Sequence, residues 1–303
     1  MDENIIIIDW LSFTSKIHAV SDIIDILGMS DIPWQSIKGA RGYQDRLYFN
    51  GISIHFNGRE DMGVWCEMSG QGCRTFETLG SGNYKYIFDI ITYGDLHITR
   101  LDIAYDDHIG LLDIGQICMD TRSGEYVSKS DYWEVVESSK GATVMHGSPK
   151  SDIRIRIYDK AAERNCEPGT HWVRVELQLR DDRALHFIAL PYELGKSFCG
   201  VICNYLRSVE PNELDTNRWR WPLKSYWGDF LAGADAISIY VKPGMEYNID
   251  RCERYVYRQC GNAIDALIDI YGIEEFTEKL RKRGTRPNPK YQQLIDTYKD
   301  FKL

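Results

Sequence analysis

The sequence predicts an α+β fold in which a mostly antiparallel sheet carries helices on one face. Three segments alternate apolar and polar side chains at every second residue, which is typical of strands with one buried face. In addition, the first hundred residues repeat, more faintly, the strand-helix-strands-helix order of the residues that follow. This recurrence indicates a duplicated unit that builds one long sheet.

The three alternating segments are residues 97–107 (HITRLDIAYDD), 152–160 (DIRIRIYDK) and 171–180 (HWVRVELQLR). A shift of one residue would bury every charge in these segments, so each register is well defined. If the three strands share a sheet, their apolar sides face the core and their polar sides form one surface. That surface carries Arg100, Asp102, Asp106, Arg154, Arg156, Tyr158, Lys160, Arg174, Glu176 and Arg180.

The fainter copy has its elements in the same order. They are a strand at 5–14, a helix at 19–29, a hairpin at 46–56, a strand at 63–72 and a helix at 81–94. The hairpin turns on Asn50-Gly51, a strong turn signal between alternating segments. Glu67 in WCEMSG falls where Glu176 falls in RVELQL, which favours duplication over a chance recurrence of common patterns.

The pattern changes after the second copy. Residues 215–230 (DTNRWRWPLKSYWGDF) are aromatic and interrupted by proline, which indicates a connecting segment packed on the core. Helical patterns follow at 249–271 and 273–283. We therefore predict a main domain at 1–212 and a smaller helical C-terminal region at 213–303.

Composition indicates a chain that buries a full core and has no segment long enough to span a bilayer. The 303 residues are 43% hydrophobic and 27% charged, and the longest apolar runs are short. The start, MDEN, lacks the features of a secretory signal, so we expect a cytoplasmic protein. The net charge of −9 argues against coating nucleic acid through bulk charge, yet it allows a confined basic surface.

Three carboxylates on the polar surface suggest a cation site. Asp102, Asp106 and Glu176 would offer oxygen ligands of the kind that a hard divalent cation prefers, with room left for water and phosphate oxygens. Charged residues also alternate on many ordinary solvated sheet faces. The spacing alone leaves both interpretations open.

Tyr158 shares its side of the strand with Arg154, Arg156 and Lys160 rather than with the isoleucines. A strand tyrosine is commonly a packing residue whose hydroxyl reaches water. A cationic neighbourhood or a metal would instead favour the phenolate, which is a usable nucleophile. Tyrosine, a carboxylate-held metal and a basic clamp together are the parts needed for DNA-strand transesterification.

Other catalytic patterns are absent from the sequence. It contains no Walker A, GxSxG or HExxH motif, and it lacks the HxH pair of two-histidine metal sites. The eight cysteines form no CxxC pair. The polar surface around Tyr158 is therefore the candidate site.

Five stretches, in order, resemble the replication initiation factor (Rep_trans) family, which includes initiators of rolling-circle plasmids and some phages and related relaxases of conjugative elements. They are IDWLSFT (8–14), MSGQGCRTFE (68–77), ITRLDIAYDD (98–107), HGSPKSDIRIRIYDKAAER (146–164) and WVRVELQLR (172–180). The later WGDFL (227–231) also fits. The resemblance covers roughly residues 5 to 270.

The resemblance implies a DNA nicking-closing enzyme, a topoisomerase-like transesterase, with its catalytic domain at 1–212. Tyr158 would attack the scissile phosphate and become 5′-phosphotyrosyl-linked, leaving a free 3′-hydroxyl as primer. Asp102 and Glu176 would hold Mg²⁺ or Mn²⁺, with Asp106 as a further candidate ligand. The DNA-binding residues would be Arg100, Arg154, Arg156, Lys160, Arg174 and Arg180.

The same resemblance implies a TATA-binding-protein-like sheet and a set of partners in a bacterial host cell. These are origin DNA, single-stranded or extruded as a hairpin, a host helicase and a second copy of the chain, with no membrane.

Conjugative relatives often carry an N-terminal helix-turn-helix domain, whereas a strand begins here by residue 5, which favours a plasmid or phage initiator. A conjugative relaxase and a non-catalytic DNA-binding protein that uses the sheet surface are the alternatives.

Overall fold

The computed structural model describes residues 5–231, Val256 and residues 261–282. The chain divides into two compact units between residues 240 and 241. The first unit holds the sheet and the helices packed on it. Among the described residues, no helix is long and apolar enough to cross a membrane.

Two sets of strands make up the sheet. The first set is β1 (Ile5–Ser15), β2 (Gln35–Lys38), β3 (Asp45–Phe49), β4 (Ile52–Phe56) and β5 (Val64–Met68). The second set is β6 (His97–Asp107), the short β7 (Tyr126–Ser128), β8 (Trp133–Ser138), β9 (Gly141–His146), β10 (Ile153–Asp159) and β11 (Val173–Arg180). Ten of them form one antiparallel sheet in the order β2-β3-β4-β5-β1-β6-β11-β10-β9-β8. β7 pairs separately with β12 (Leu206–Ser208).

The helices of the first unit are α1 (Val20–Leu27), α2 (Gly70–Leu79), α3 (Tyr84–Tyr93), α4 (Ile114–Ser123), α5 (Lys160–Glu163), α6 (Asp181–Ile188), α7 (Leu194–Tyr205) and α8 (Ser225–Leu231). Their apolar side chains join those of the central strands in one buried cluster, which includes Phe76, Leu101, Leu177 and Phe198. The core therefore lies on one face of the sheet, as the alternation in the sequence predicted.

The register confirms the duplication. β1 and β6 pair in the middle of the sheet, with Trp10 directly opposite Asp102, and the order of strands on one side of this pair repeats on the other. Glu67 on β5 lies one strand out from β1, and Glu176 on β11 lies one strand out from β6. The two glutamates thus occupy equivalent places around an approximate two-fold axis between β1 and β6.

Two elements of the first copy were not predicted, the edge strand β2 and the helix α2. Helix α2 begins with Gly70 and Gly72, residues that weaken a helical pattern. Close packing requires the second of them, because a Cβ on Gly72 would lie 2.3 Å from the carbonyl oxygen of Gly51. Ser69 caps the helix by accepting a hydrogen bond from the Gly72 amide. Contacts with residues distant in the sequence, rather than local preference, therefore determine that this segment is helical.

The segment at 215–230 packs on the core as predicted. In α8, the side chains of Trp227, Phe230 and Leu231 are buried in the same cluster as the sheet. The second unit contains α9 (Gly261–Lys282), which is interrupted at Gly272, where φ is 73°. That break matches the expected boundary between two helices, while 249–255, 257–260 and the residues after 282 lie outside the described part. The division into domains 1–212 and 213–303 stays a prediction.

His146 on β9 should make folding stability depend on pH. Its side chain is 3% exposed, and burial lowers its pKa from 6.5 to about 4. The unfolded chain then binds more protons than the folded one, so stability is present above about pH 6.5 and is lost as the pH falls toward about 4. When the pH is lowered from 7 to 5, the free energy of unfolding measured by denaturant titration should fall by about 2 kcal/mol less in His146→Phe than in the unchanged chain. An identical loss in both proteins would contradict this assignment.

Candidate active site

The polar face of the central strands is a packed layer of paired charges. Asp102, Asp106, Tyr158, Lys160, Arg174 and Glu176 are each at most 5% exposed. These side chains lie on the predicted side of their strands, since the neighbouring Ile155, Ile157 and Val175 lie in the core cluster on the opposite side. Buried charges are retained in proteins only where they are paired or bind an ion. The interpretation as an ordinary solvated face is therefore wrong.

Tyr158 lies within hydrogen-bond reach of an acceptor and a cation. Its hydroxyl donates to Oε2 of Glu176 at 3.3 Å, and Nζ of Lys160 donates to the same hydroxyl at 3.4 Å. The guanidinium of Arg156 lies 4.9 Å from the ring centroid. Burial, followed by the charge of Glu176, raises the pKa of the phenol above its usual value. The arrangement holds a protonated phenol beside a carboxylate that can take its proton.

Asp102 and Glu176 lie on adjacent strands, each covered by an arginine. Arg100 binds Asp102 at 2.9 and 2.5 Å, and Nη2 of Arg156 donates to Glu176 at 3.0 Å. Glu176 pairs across the sheet with Ala104, two residues from Asp102, so the carboxylates are diagonal neighbours. Burial, with a contribution from the charge of Glu176, raises the pKa of Asp102. The two carboxylates are thus buried side by side, each paired with one arginine.

Arg174 is fully engaged with carboxylates. Its Nε and Nη2 donate to the two oxygens of Asp106 at 2.7 Å each, and its Nη1 donates to Asp9 at 2.8 Å. The indole nitrogen of Trp172 also donates to Asp106, at 2.7 Å. Asp106 and Arg174 therefore satisfy each other, and this geometry favours a supporting role for both over direct contact with a metal or DNA.

Arg154 and Arg180 lie at the margins of the same face and are half-buried. Nη2 of Arg154 contacts the sulfur of Met145 at 2.7 Å. Arg180 lies beside Gln178, whose side-chain oxygen accepts from the guanidinium at 3.0 and 2.7 Å in the favoured amide orientation. With Arg100 and Arg156, these side chains are the accessible cations around the buried carboxylates.

The donor set fits a divalent cation in part. Within residues 5–231 and 261–282, no three acidic, histidine or cysteine side chains come together as a metal cluster. The two carboxylates of Asp102 and Glu176 do share the site, and their mutual repulsion in a buried setting is what a cation would relieve. Mg²⁺ commonly binds through one or two carboxylates and keeps several waters or phosphate oxygens. Two protein ligands are therefore sufficient for such an ion.

Comparison with known families agrees with this geometry. The family described as "Replication initiation factor" matches residues 96–282, more than half of the chain. The chain belongs to this family. A second description, "Rolling Circle replication initiation protein N-terminal domain", matches residues 5–92. The two matches divide the chain where the first structural repeat ends and the second begins.

Individual relatives of this family are similar over most of the chain. The "Putative DNA relaxase NicK" of Bacillus subtilis (strain 168) is 29% identical over 317 residues, 96% of this chain and 89% of the relative. The solved rolling circle replication initiator protein from Geobacillus stearothermophilus is 30% identical with a TM-score of 0.71, covering 79% of this chain and 100% of that one. The expected fold and the expected family of rolling-circle replication initiators are thus confirmed.

One residue of the site, Asp9 as a partner of Arg174, was not predicted from the sequence. Asp9 is the extra residue in a register shift between Ile8 and Trp10, where β1 gains one residue relative to β6. Such a bulge leaves its extra residue outside the regular ladder. Simple alternation with Leu11 assigns Asp9 to the core side, so only the bulge explains how its carboxylate reaches Arg174.

Proposed function

We propose that this protein initiates rolling-circle replication by nicking single-stranded origin DNA, with Tyr158 as the nucleophile. The observation that carries the proposal is the contact of the Tyr158 hydroxyl with Glu176 and Lys160, on the face that also holds Asp102. Family membership supports the reaction class, and the geometry supports the assignment of residues.

In the proposed reaction, the Tyr158 oxygen bonds to the scissile phosphorus as its proton passes to Glu176. The bond from phosphorus to the 3′ oxygen breaks, and that oxygen takes up a proton from water to become the free 3′-hydroxyl, while Glu176 returns the tyrosine proton to water. The product is a 5′-phosphotyrosyl link. Lys160 stabilises the developing phenolate, and Arg156 is placed to bind the phosphate as charge builds on it. Closing is the reverse reaction, with a 3′-hydroxyl as attacking group.

Asp102 and Glu176 would hold Mg²⁺ or Mn²⁺, and the bound ion would supply Lewis-acid stabilisation of the phosphate oxygens. Asp106 is the weaker candidate because Arg174 occupies both of its oxygens. Glu176 also accepts the Tyr158 hydrogen bond, which links the cation site to the nucleophile. Arg100 and Arg156 neutralise the two carboxylates in the absence of an ion.

The DNA path would follow the accessible cations of this face, namely Arg100, Arg154, Arg156 and Arg180. Lys160 and Arg174 are buried and would act at the reacting phosphate or through neighbouring residues. The net charge of −9 confines the basic surface, so affinity for origin DNA should fall steeply with salt. A host helicase and a second copy of the chain are the further partners we propose from the family.

Removing the ion or its ligands should abolish nicking. With Mn²⁺ and a single-stranded origin oligonucleotide, the protein should form a denaturant-resistant DNA adduct that EDTA prevents. Asp102→Asn and Glu176→Gln should each lower adduct formation by about 100-fold or more, because each removes a charged ligand. They should also weaken Mn²⁺ binding in calorimetry.

The control is Glu134→Gln, which changes a carboxylate on the edge strand β8, two strands away from Tyr158 on β10, and should leave both measurements unchanged. Unaltered Mn²⁺ binding by the Asp102 and Glu176 variants would exclude this pair as the metal site. Metal-independent duplex binding without any adduct would instead support the non-catalytic alternative.

A relaxase acting in conjugative mobilisation is the second candidate, and similarity to the B. subtilis relaxase favours it. Both candidates use the same tyrosine chemistry. They differ in what the nick serves, so the test is genetic. A replication origin should be maintained by this protein in a host cell if it is an initiator, whereas a relaxase should support transfer of a plasmid carrying its target.

A further inference from the structure

A groove lies on the polar face of the first repeat, beside the candidate active site. It has a volume of about 350 Å³, and its lining includes Trp10, Arg41, Trp65, Glu67, Arg100 and Arg180. A volume of this size is within the ~300–1,000 Å³ range of small-molecule sites. The lining combines aromatic rings, guanidinium groups and one carboxylate, which is the chemistry of a single-stranded nucleotide site.

The approximate two-fold axis makes this groove the counterpart of the Tyr158 site. Ser53 and His55 on β4 pair with Glu67 and Trp65, just as Arg156 and Tyr158 on β10 pair with Glu176 and Arg174. His55 therefore occupies the place of Tyr158. The first repeat keeps the carboxylate but has histidine in place of the nucleophile and tryptophan in place of the arginine. The first repeat therefore keeps a carboxylate that can bind a ligand, but it lacks the tyrosine that transesterification needs.

The Glu67 carboxylate is open to a ligand, unlike its counterpart. Glu176 accepts hydrogen bonds from Arg156 and Tyr158, whereas no described residue donates one to Glu67, whose carboxylate lies 4.0 Å from the imidazole of the buried His55. The Glu67 side chain is 18% exposed. An ionised carboxylate only accepts hydrogen bonds. The group that it binds must therefore present donors.

The aromatic side chains are held in place for stacking. Trp65 stacks on His55 with ring centroids 4.5 Å apart, and the guanidinium of Arg41, an exposed residue, lies 5.0 Å from the Trp65 ring centroid. Arg100 lies 4.4 Å from the Trp10 ring centroid. Unpaired bases stack on aromatic rings and on guanidinium planes. A base in the groove can therefore stack on the guanidinium plane of Arg41 or Arg100.

Resting on the proposed function, we propose that this groove binds one unpaired guanine of the origin strand, with Glu67 accepting hydrogen bonds from the base. Guanine offers two adjacent donors on its Watson–Crick edge, which match the two oxygens of a carboxylate. Thymine offers a single N–H between two carbonyl oxygens, which a carboxylate repels. The groove thus recognises a base, while the Tyr158 site cleaves a phosphodiester bond.

The groove and the reacting tyrosine are close enough for one strand to reach both. Glu67 lies level with Arg100 and Glu176 level with Ala104, so the two glutamates are three strand spacings apart across the sheet and four residues apart along it, roughly 20 Å in all. Arg100 connects the two sites, since it binds Asp102 and also lies over Trp10. At the ~3.4 Å spacing of stacked nucleotides, the bound guanine would lie about six nucleotides from the scissile phosphate.

The test measures binding without cleavage. The full chain carrying Tyr158→Phe, without metal, is titrated into two labelled 12-nucleotide probes and followed by fluorescence anisotropy. One probe is all thymine, and the other carries a single central guanine. We expect about tenfold tighter binding of the guanine probe. Adding Glu67→Gln should reduce that preference to less than about twofold, because an amide presents only one acceptor to the base.

Two further variants make the result specific. Trp65→Leu should weaken binding of both probes because the Arg41 guanidinium loses the ring it lies over, and Glu134→Gln should leave the tenfold preference intact. Equal affinity for the two probes, or a preference that survives Glu67→Gln in a protein with unchanged thermal unfolding, would overturn the proposal. Since no cleavage is measured, such a failure would leave adduct formation by the Tyr158 protein unaffected, and the proposed function would be judged separately.

Discussion

The Tyr158→Phe variant is expected to form no covalent adduct with origin single-stranded DNA, whereas the unchanged protein with Mn²⁺ forms one that survives denaturant. The change removes one oxygen, the atom that bonds to phosphorus in the proposed reaction. The ring remains, so its packing and the contact with the Arg156 guanidinium at 4.9 Å are kept. Loss of the hydrogen bonds to Glu176 and Lys160 should cost only about 1–3 kcal/mol of stability.

A matched control is Tyr192→Phe, which removes a hydroxyl from an exposed tyrosine between α6 and α7. It should form the adduct at the normal rate. Tryptic mapping of the adduct should place the DNA on the peptide that contains residue 158. An adduct that persists in Tyr158→Phe would show that another side chain is the nucleophile, and the proposed reaction would then be wrong.

The alternation of apolar and polar side chains predicted the central strands well, because one face of the sheet packs on the core and the other face carries the polar groups. The strands at 97–107, 152–160 and 171–180 were placed within two residues of their observed ends. Tyr158, Asp102 and Glu176 were assigned to one face for the same reason, since a period of two leaves no choice once the isoleucines face the core. The duplication followed from the order of elements and from Glu67.

The parts that were not predicted depend on contacts between distant residues. Helix α2 starts with two glycines, of which Gly72 is required by the packing against Gly51, so local preference argues against a helix here. Asp9 reaches Arg174 only because a bulge interrupts the ladder of β1. Alternation also left open whether the polar strand residues face water, and here cross-strand ion pairs bury them. Which carboxylate pairs with which arginine cannot be read from alternation.

The pairing of Asp106 with Arg174 leads to a second large effect, on stability. We expect Asp106→Ala to lower the free energy of unfolding by about 3–5 kcal/mol, because it leaves a buried guanidinium with only Asp9 as a partner. Arg174 is 4% exposed, so water cannot replace the lost carboxylate. Thermal unfolding should shift downward by about 10 °C for a domain of this size. Arg180→Met, on the same strand but half-buried, should shift it far less.

The double variant Asp106→Leu with Arg174→Met separates a structural role from a chemical one. Replacing both charges removes the buried unpaired guanidinium, and Asp9, whose side chain is 20% exposed, can be solvated by water, so much of the lost stability should return. If the stable double variant also regains adduct formation, the pair serves to hold β6 and β11 in place. If stability returns while adduct formation stays absent, one of the two charges acts on the DNA or the metal. Unchanged stability in Asp106→Ala would contradict the pairing itself, since a buried arginine cannot lose two hydrogen bonds at 2.7 Å without cost.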